Sequence, residues 1–198
     1  MNTKMYPIAM LFLGLSLATA ATPSCADKIS FKEIIASKQY LVEKLARSPV
    51  VIDAVLAQNA KKTSLDQIKK LDQEWINSKP DAPVKIEMQK TPVGELIKLQ
   101  VQMKPDIFNE IFLTDNQGAN VTAYPATSDY WQGDEEKFIK SYNGGSGVVF
   151  VSPATFDKST YTYAIQISVP VIHETKTIGI LIAGIRFSHF EDSKALDK

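Results

Sequence analysis

The sequence has a single cysteine, Cys25, among 198 residues, so no disulfide can form within the chain. It has two histidines, His173 and His189. Both fall in expected loop or tail contexts, and neither belongs to a motif with a serine or an acid, so catalysis finds little support. Neither charge is in excess, with 22 basic and 22 acidic residues. That leaves no electrostatic footprint for nucleic acid and no polybasic patch for anionic lipid. The one glycine cluster, Asn143-Gly144-Gly145-Ser146-Gly147, lacks the following lysine and helix of a phosphate loop and reads as a flexible turn. No internal repeat, low-complexity tract or second long apolar segment is present. Partners must therefore be recognised through pockets or specific surfaces.

The N-terminus carries the compartment signal. Lys4 supplies a short positive region, and Ile8 to Ala18 is an unbroken run of apolar and small residues. That run is shorter than the roughly 20 residues a membrane helix needs and suits the apolar region of a signal peptide. Cleavage sites follow at Ala18-Thr19-Ala20 and at Ser24-Cys25-Ala26, the second slightly favoured by Pro23. The expected organisation is a signal peptide over 1–26 and a single domain over 27–198, exported to a bacterial periplasm. A lipid anchor on Cys25 is the alternative, with Thr22-Pro23-Ser24 a poor approach to it. About 170 residues remain, enough for one domain with its own core.

Helical periodicity dominates the first half. Phe31, Ile34, Ile35, Leu41, Val42 and Leu45 recur at three- and four-residue steps, predicting a long amphipathic helix over Lys28 to Arg47. Ser48-Pro49 interrupts it, and a second helix carries Val51, Ala54, Val55 and Leu56. A third starts at Ser64 with Gln67 completing a capping box, and presents Leu65, Ile68, Leu71 and Trp75. Asn77 to Lys90, with Pro80 and Pro83, reads as a linker or irregular strand, and Thr91-Pro92 opens a fourth helix closed by Pro105. Strands follow. Asn109 to Thr114 and Asn120 to Tyr124 flank the turn Asp115-Asn116-Gln117-Gly118, whose residue types predict a hairpin. Tyr130 to Tyr142 predicts a loop and short helix with Phe138, Ile139 and Tyr142 inward. Three more strands are predicted at Gly147 to Ser152, Tyr161 to Val171 and Ile178 to Phe187, with a loop from His173 to Lys176. The fold class is α+β, a five-stranded antiparallel sheet behind a helical lead-in.

Several segments, in this order, resemble the extracytoplasmic Cache (PDC-type, PAS-like) sensor domains. They are Leu45-Ala46-Arg47-Ser48-Pro49, Glu110 to Gly118, Thr127 to Glu135, Ile167-Ser168-Val169-Pro170-Val171 and Ile178-Gly179-Ile180-Leu181. The resemblance implies a non-enzymatic module that binds a small metabolite of the amino acid, amine or carboxylate class and needs no cofactor. Typical members continue into a second membrane helix and a cytoplasmic module, whereas this sequence stops at Lys198. The expectation is a stand-alone periplasmic member that passes ligand occupancy to a partner signalling protein. The alternative is a ligand-independent interaction protein regulating a membrane-bound kinase, cyclase or receptor. The long N-terminal helix is offered as a homodimer surface.

By the same likeness, the ligand lies against the sheet beneath the loop Asp129 to Glu135, with Tyr130 and Trp131 as its aromatic wall. Tyr124, Tyr161 and Tyr163 complete the wall in this reading, and Asp157 stands where the family often places an acidic partner for a ligand amine. Each has a structural alternative: Trp131 plugs the core edge, strand tyrosines pack, and Asp157 caps its own turn. Asp129, Asp134, Glu135 and Glu136 lack the loop spacing of a cation site and suit a helix start, so no metal is expected.

Overall fold

The computed structural model describes residues 31–157 and 162–187. The expected signal segment, Lys28, Tyr161 and the tail with His189 lie outside the described residues. Five helices come first: α1 (Phe31–Ala46), α2 (Pro49–Ala60), α3 (Leu65–Asn77), α4 (Pro83–Gln89) and α5 (Pro92–Met103). Their boundaries follow local chemistry. Pro49, Pro83 and Pro92 each occupy a first-turn position, where the missing N–H costs nothing. Ser64 caps α3 in a complete box: its Oγ accepts from Gln67 N at 3.3 Å, and Ser64 N donates to Gln67 Oε1 at 3.1 Å. Thr91 Oγ1 accepts from Gly94 N at 3.1 Å at the start of α5.

The second half forms the sheet: β1 (Phe108–Thr114), β2 (Asn120–Tyr124), β3 (Phe150–Val151), β4 (Thr155–Asp157), β5 (Thr162–His173) and β6 (Lys176–Phe187). The order is β2-β1-β6-β5-β3, with β4 also on β5, and every pairing is antiparallel. Because β3 and β4 share one flank of β5, the sheet is five strands wide. Between them Ser152 keeps contact with β5, its N donating to Gln166 O at 2.9 Å and its Oγ accepting from Gln166 N at 2.8 Å.

Alternation along the strands sorts side chains onto two faces. Ile111, Leu113, Ile165, Ile167, Leu181 and Ile185 belong to the main core with Val42 and Ala46 of α1, Val51 and Val55 of α2, and Val93 and Ile97 of α5. On the other face Phe112, Ile180 and Ile182 meet Phe138 of α6 (Glu136–Tyr142). Phe138 and Tyr142 stack at 5.2 Å.

Three expectations need correction. Residues 83–89, read as part of a linker or irregular strand, form a helix, because Pro83 at its start initiates a turn rather than breaking one. Ile139 points outward, 53% exposed, because a two-turn helix lying on a sheet buries only one stripe. The loop expected from His173 to Lys176 shrinks to Glu174 and Thr175, since His173 and Lys176 pair as the last rung of the β5–β6 ladder. Glu174 takes the positive φ, +54°, that so tight a reversal requires.

Candidate functional site

The hairpin turn Asp115 to Gly118 organises this end of the molecule. Asp115 Oδ1 accepts from Gln117 N at 2.8 Å and Ala119 N at 2.9 Å, so the carboxylate folds the turn around itself. Burial holds its carboxyl above the usual carboxylate range, while those backbone donors and the Gln58 amide pull the other way. Gly118 sits at φ +84°, and a Cβ there would lie 2.5 Å from Gly133 Cα. Only glycine allows the two chains to approach so closely.

That approach lets the loop after β2 pair back onto the turn. Ala119 and Trp131 form an isolated bridge, Gln132 N donates to Gly118 O at 2.8 Å, and Asn120 N donates to Tyr130 O at 2.9 Å. From above, Asp72 of α3 clamps the same loop, its Oδ1 accepting from Tyr130 N at 2.8 Å and Trp131 N at 3.0 Å. Helix α2 is tied in as well. Asn59 Nδ2 donates to Ile178 O at 2.8 Å, Asn59 Oδ1 accepts from Asn116 N at 3.2 Å, and Gln117 Nε2 donates to Thr63 O at 2.9 Å.

Between these parts runs a cleft of about 490 Å³. Gln58 of α2 and Lys61 just after it, Leu71, Glu74 and Trp75 of α3, Glu87 and Met88 of α4, and Asn120, Val121 and Tyr130 are among its walls. Trp75 and Tyr130 meet at 5.9 Å, ring to ring, and Trp75 Nε1 donates to Thr127 O at 2.8 Å, which fixes the aromatic floor. The Tyr130 hydroxyl accepts from Gln58 Nε2 at 3.2 Å. Burial, with the nearby Asp115 charge, raises its pKa, so the phenol stays neutral at physiological pH. Lys61 Nζ donates to Gln58 Oε1 at 2.9 Å.

Asn120 is the unusual member. It is 1% exposed, and its Oδ1 has no hydrogen-bond partner within the protein. The amide cannot profitably turn over. Nδ2 donates to Thr127 Oγ1 at 2.7 Å and to Asp129 O at 3.1 Å, and Thr127 Oγ1 gives its own proton to Asp129 O at 2.6 Å. Both neighbours thus present acceptors to this amide, so Oδ1 must face the other way. A buried acceptor left unmatched costs about 1–3 kcal/mol.

Tyr130 thus lines the cleft. Trp131 sits beside it but is engaged elsewhere: its Nε1 donates to Gln117 O at 2.8 Å, and Lys69 Nζ lies 5.1 Å from its ring. Tyr124 packs against the main core and its hydroxyl accepts from Gln102 Nε2 at 3.0 Å, on the α5 side. Tyr163 also packs against the main core. Asp157 ends β4 opposite Thr162, and Tyr161 lies outside the described residues. Gln58, Lys61, Glu74 and Asn120 were not singled out from the sequence as ligand contacts. Asn120 stands out only as the start of Asn120-Val121-Thr122, a chance match to a glycosylation acceptor. Among the described residues, no group of three or more His, Cys, Asp or Glu is placed to hold a metal ion.

No family model matches the sequence, and no curated protein matches it. Solved structures similar to it include the sensor domain of the V. cholerae histidine kinase DctB. There the identity is 12% and the TM-score 0.42, with 85% of this chain and 55% of that one covered. The ligand-binding domain of the Pseudomonas aeruginosa amino acid chemoreceptor PctC, in complex with GABA, gives 14%, 0.40, 85% and 63% in the same order. The sensory domain of a Campylobacter jejuni chemoreceptor with isoleucine bound gives 16%, 0.36, 88% and 69%. The chain spans little more than half the length of the first of these and under two thirds of the second. These three are sensor and ligand-binding domains of a kinase and of chemoreceptors.

Proposed function

We propose that this chain is a periplasmic binding module that holds a small metabolite in the cleft beside Tyr130 and passes its occupancy to a membrane-bound signalling protein. It acts by binding rather than by chemistry. The observation that carries the reading is a cleft of ligand size with an aromatic wall, Trp75 and Tyr130, lined also by Asn120, whose buried Oδ1 accepts from no group of the protein. The metabolite accordingly presents an N–H or O–H donor. Export is supported by Lys4 and the apolar run Ile8 to Ala18. Among the described residues, no helix is long and apolar enough to cross a membrane.

A sensor must also differ between its bound and free forms, because a ligand shifts an equilibrium only through unequal affinity for two states. Asn120 Oδ1 is sealed from solvent, so a donor reaches it only if the floor gives way slightly. The displacement bears on Gln58 and Tyr130, and through Asn59 and Gln117 on the hairpin turn.

Differential scanning fluorimetry of the purified protein against amino acids, amines and carboxylates tests the proposal. A ligand at 100 times its Kd adds about 2.7 kcal/mol, roughly 5–10 °C in Tm for a domain of this size. The Asn120 side-chain amide resonances should move with it. A library in which no donor-bearing compound shifts either Tm or those resonances would overturn the reading.

A further inference from the structure

Helices α1 and α5 lie on the same face of the sheet, yet neither packs closely along the other. Toward their C-terminal ends the gap between them is a cavity of about 350 Å³, within the size range of small-molecule sites. It shares no lining residue with the cleft beside Tyr130. Helical spacing aligns its walls. Leu41, Lys44 and Leu45 share one stripe of α1, with Ser48 a turn further on. Leu96 and Gln100 share a stripe of α5 that continues to its C-cap residue, Lys104. Phe108, buried at the start of β1, adds to the apolar lining.

The polar side chains of this cavity are all uncommitted. Among the described residues, no group forms a hydrogen bond or ion pair with the side chain of Lys44, Ser48, Gln100 or Lys104. Ser48 stands at the N-cap of α2, where a serine hydroxyl ordinarily accepts from the helix, and here it does not. No acid lines the cavity, so it has an ammonium group from either helix and no carboxylate to balance them. A lysine near the end of a helix is favoured by the helix dipole in any case. What goes beyond that role is the convergence of both lysines on one partly apolar gap.

We propose that this gap is a second binding site, for a monocarboxylate that carries an apolar chain. Its carboxylate lies between Lys44 and Lys104, and its chain lies along Leu41, Leu45 and Leu96 towards Phe108. Lysine suits the task, because a point charge on a flexible stem closes on a carboxylate without a preset geometry. Gln100 and Ser48 add neutral donors. The leucines favour the chain, since moving methylenes out of water strengthens binding.

The test is an NMR titration of the purified protein with acetate, butyrate, hexanoate and octanoate, with octanol and octylamine as controls. Octanoate should move the Gln100 side-chain amide and the backbone amides of Leu45 and Lys104. From butyrate on, the Kd should fall about two- to fourfold per methylene. Lys44→Gln and Lys104→Gln should each weaken octanoate about two- to fivefold, and Lys44→Glu should weaken it further than Lys44→Gln. Octanol should be weaker by roughly the product of the two lysine effects, and octylamine weaker still. Gln100→Trp should fill the gap and abolish binding. Lysine variants that lower the Tm but leave the octanoate Kd unchanged would confine both lysines to their helix ends and overturn the proposal. So would octanol that matches octanoate, or the absence of any octanoate binding. Octanoate that moves Asn120 and Tyr130 in place of Gln100 would put it in the first cleft, ending the second site while the binding role proposed above stands.

Discussion

Asp115 shows how much one buried carboxylate organises. It closes the hairpin turn, faces Gln58 and contributes to the raised pKa of Tyr130. Because burial raises its folded-state pKa above the ordinary value of about 3.9, the folded protein keeps this proton to higher pH than the unfolded chain does. Its contribution to stability is therefore full below the ordinary value and is lost as pH rises through the raised one. Asp115→Asn keeps the oxygen that accepts from Gln117 and Ala119 and removes the titration. In urea unfolding, the stability of the variant minus that of the wild type should rise between about pH 4 and neutrality, and a value that stays flat or falls with pH would contradict this origin. The sequence marked Asp115 as turn chemistry, since Asp-x-x-Gly is legible by residue type. It did not mark Asn120, because an unmatched acceptor depends on where Thr127 and Asp129 fall in space.

Among the elements, α3 depends most on its own local signals. It has few buried residues, Ile68 and Trp75, yet it supplies Asp72 to the loop and a wall to the cleft. Its capping box therefore matters to the site. Ser64→Ala should cost about 1 kcal/mol, and hydrogen exchange should quicken first in the opening turn of α3 and at the Tyr130 and Trp131 amides held by Asp72. Exchange that rises evenly over the whole domain would show that the cap acts only on global stability. The long helices and the long strand β5 were readable from the sequence, because burial of one face leaves a period. Helix α4 was not, since seven residues between prolines and lysines give too few turns to establish one. Ile139 misled for a related reason: its apolar character is the same whether it faces the sheet or the solvent.

At the scale of the molecule, the central strand β6 holds the two cores together. Leu181 points to the main core and Ile180 and Ile182 to the core under α6, and all three are fully buried. Leu181→Ala should cost about 2–5 kcal/mol and lower the Tm without lowering cooperativity, because β6 is paired on both flanks. Separate transitions for the helical half and the sheet would show that the two layers are independent. The helical half supplies much of the main core, and α1, α2 and α5 all pack on one face of the sheet. The cleft lies at the seam where α2, α3 and α4 meet the turn end of the sheet. Whatever enters it touches both halves.

The outer flank of β5 has a further effect. It is covered by two short strands separated by Ser152, Pro153 and Ala154, and proline has no N–H to offer a newcomer. A neighbouring copy would find no straight, uninterrupted row of backbone donors along that margin, and the opposite margin is β2, only five residues long. Intermolecular growth of the sheet is therefore hindered on either side, and the protein can be crowded without its sheet becoming a seed for fibres.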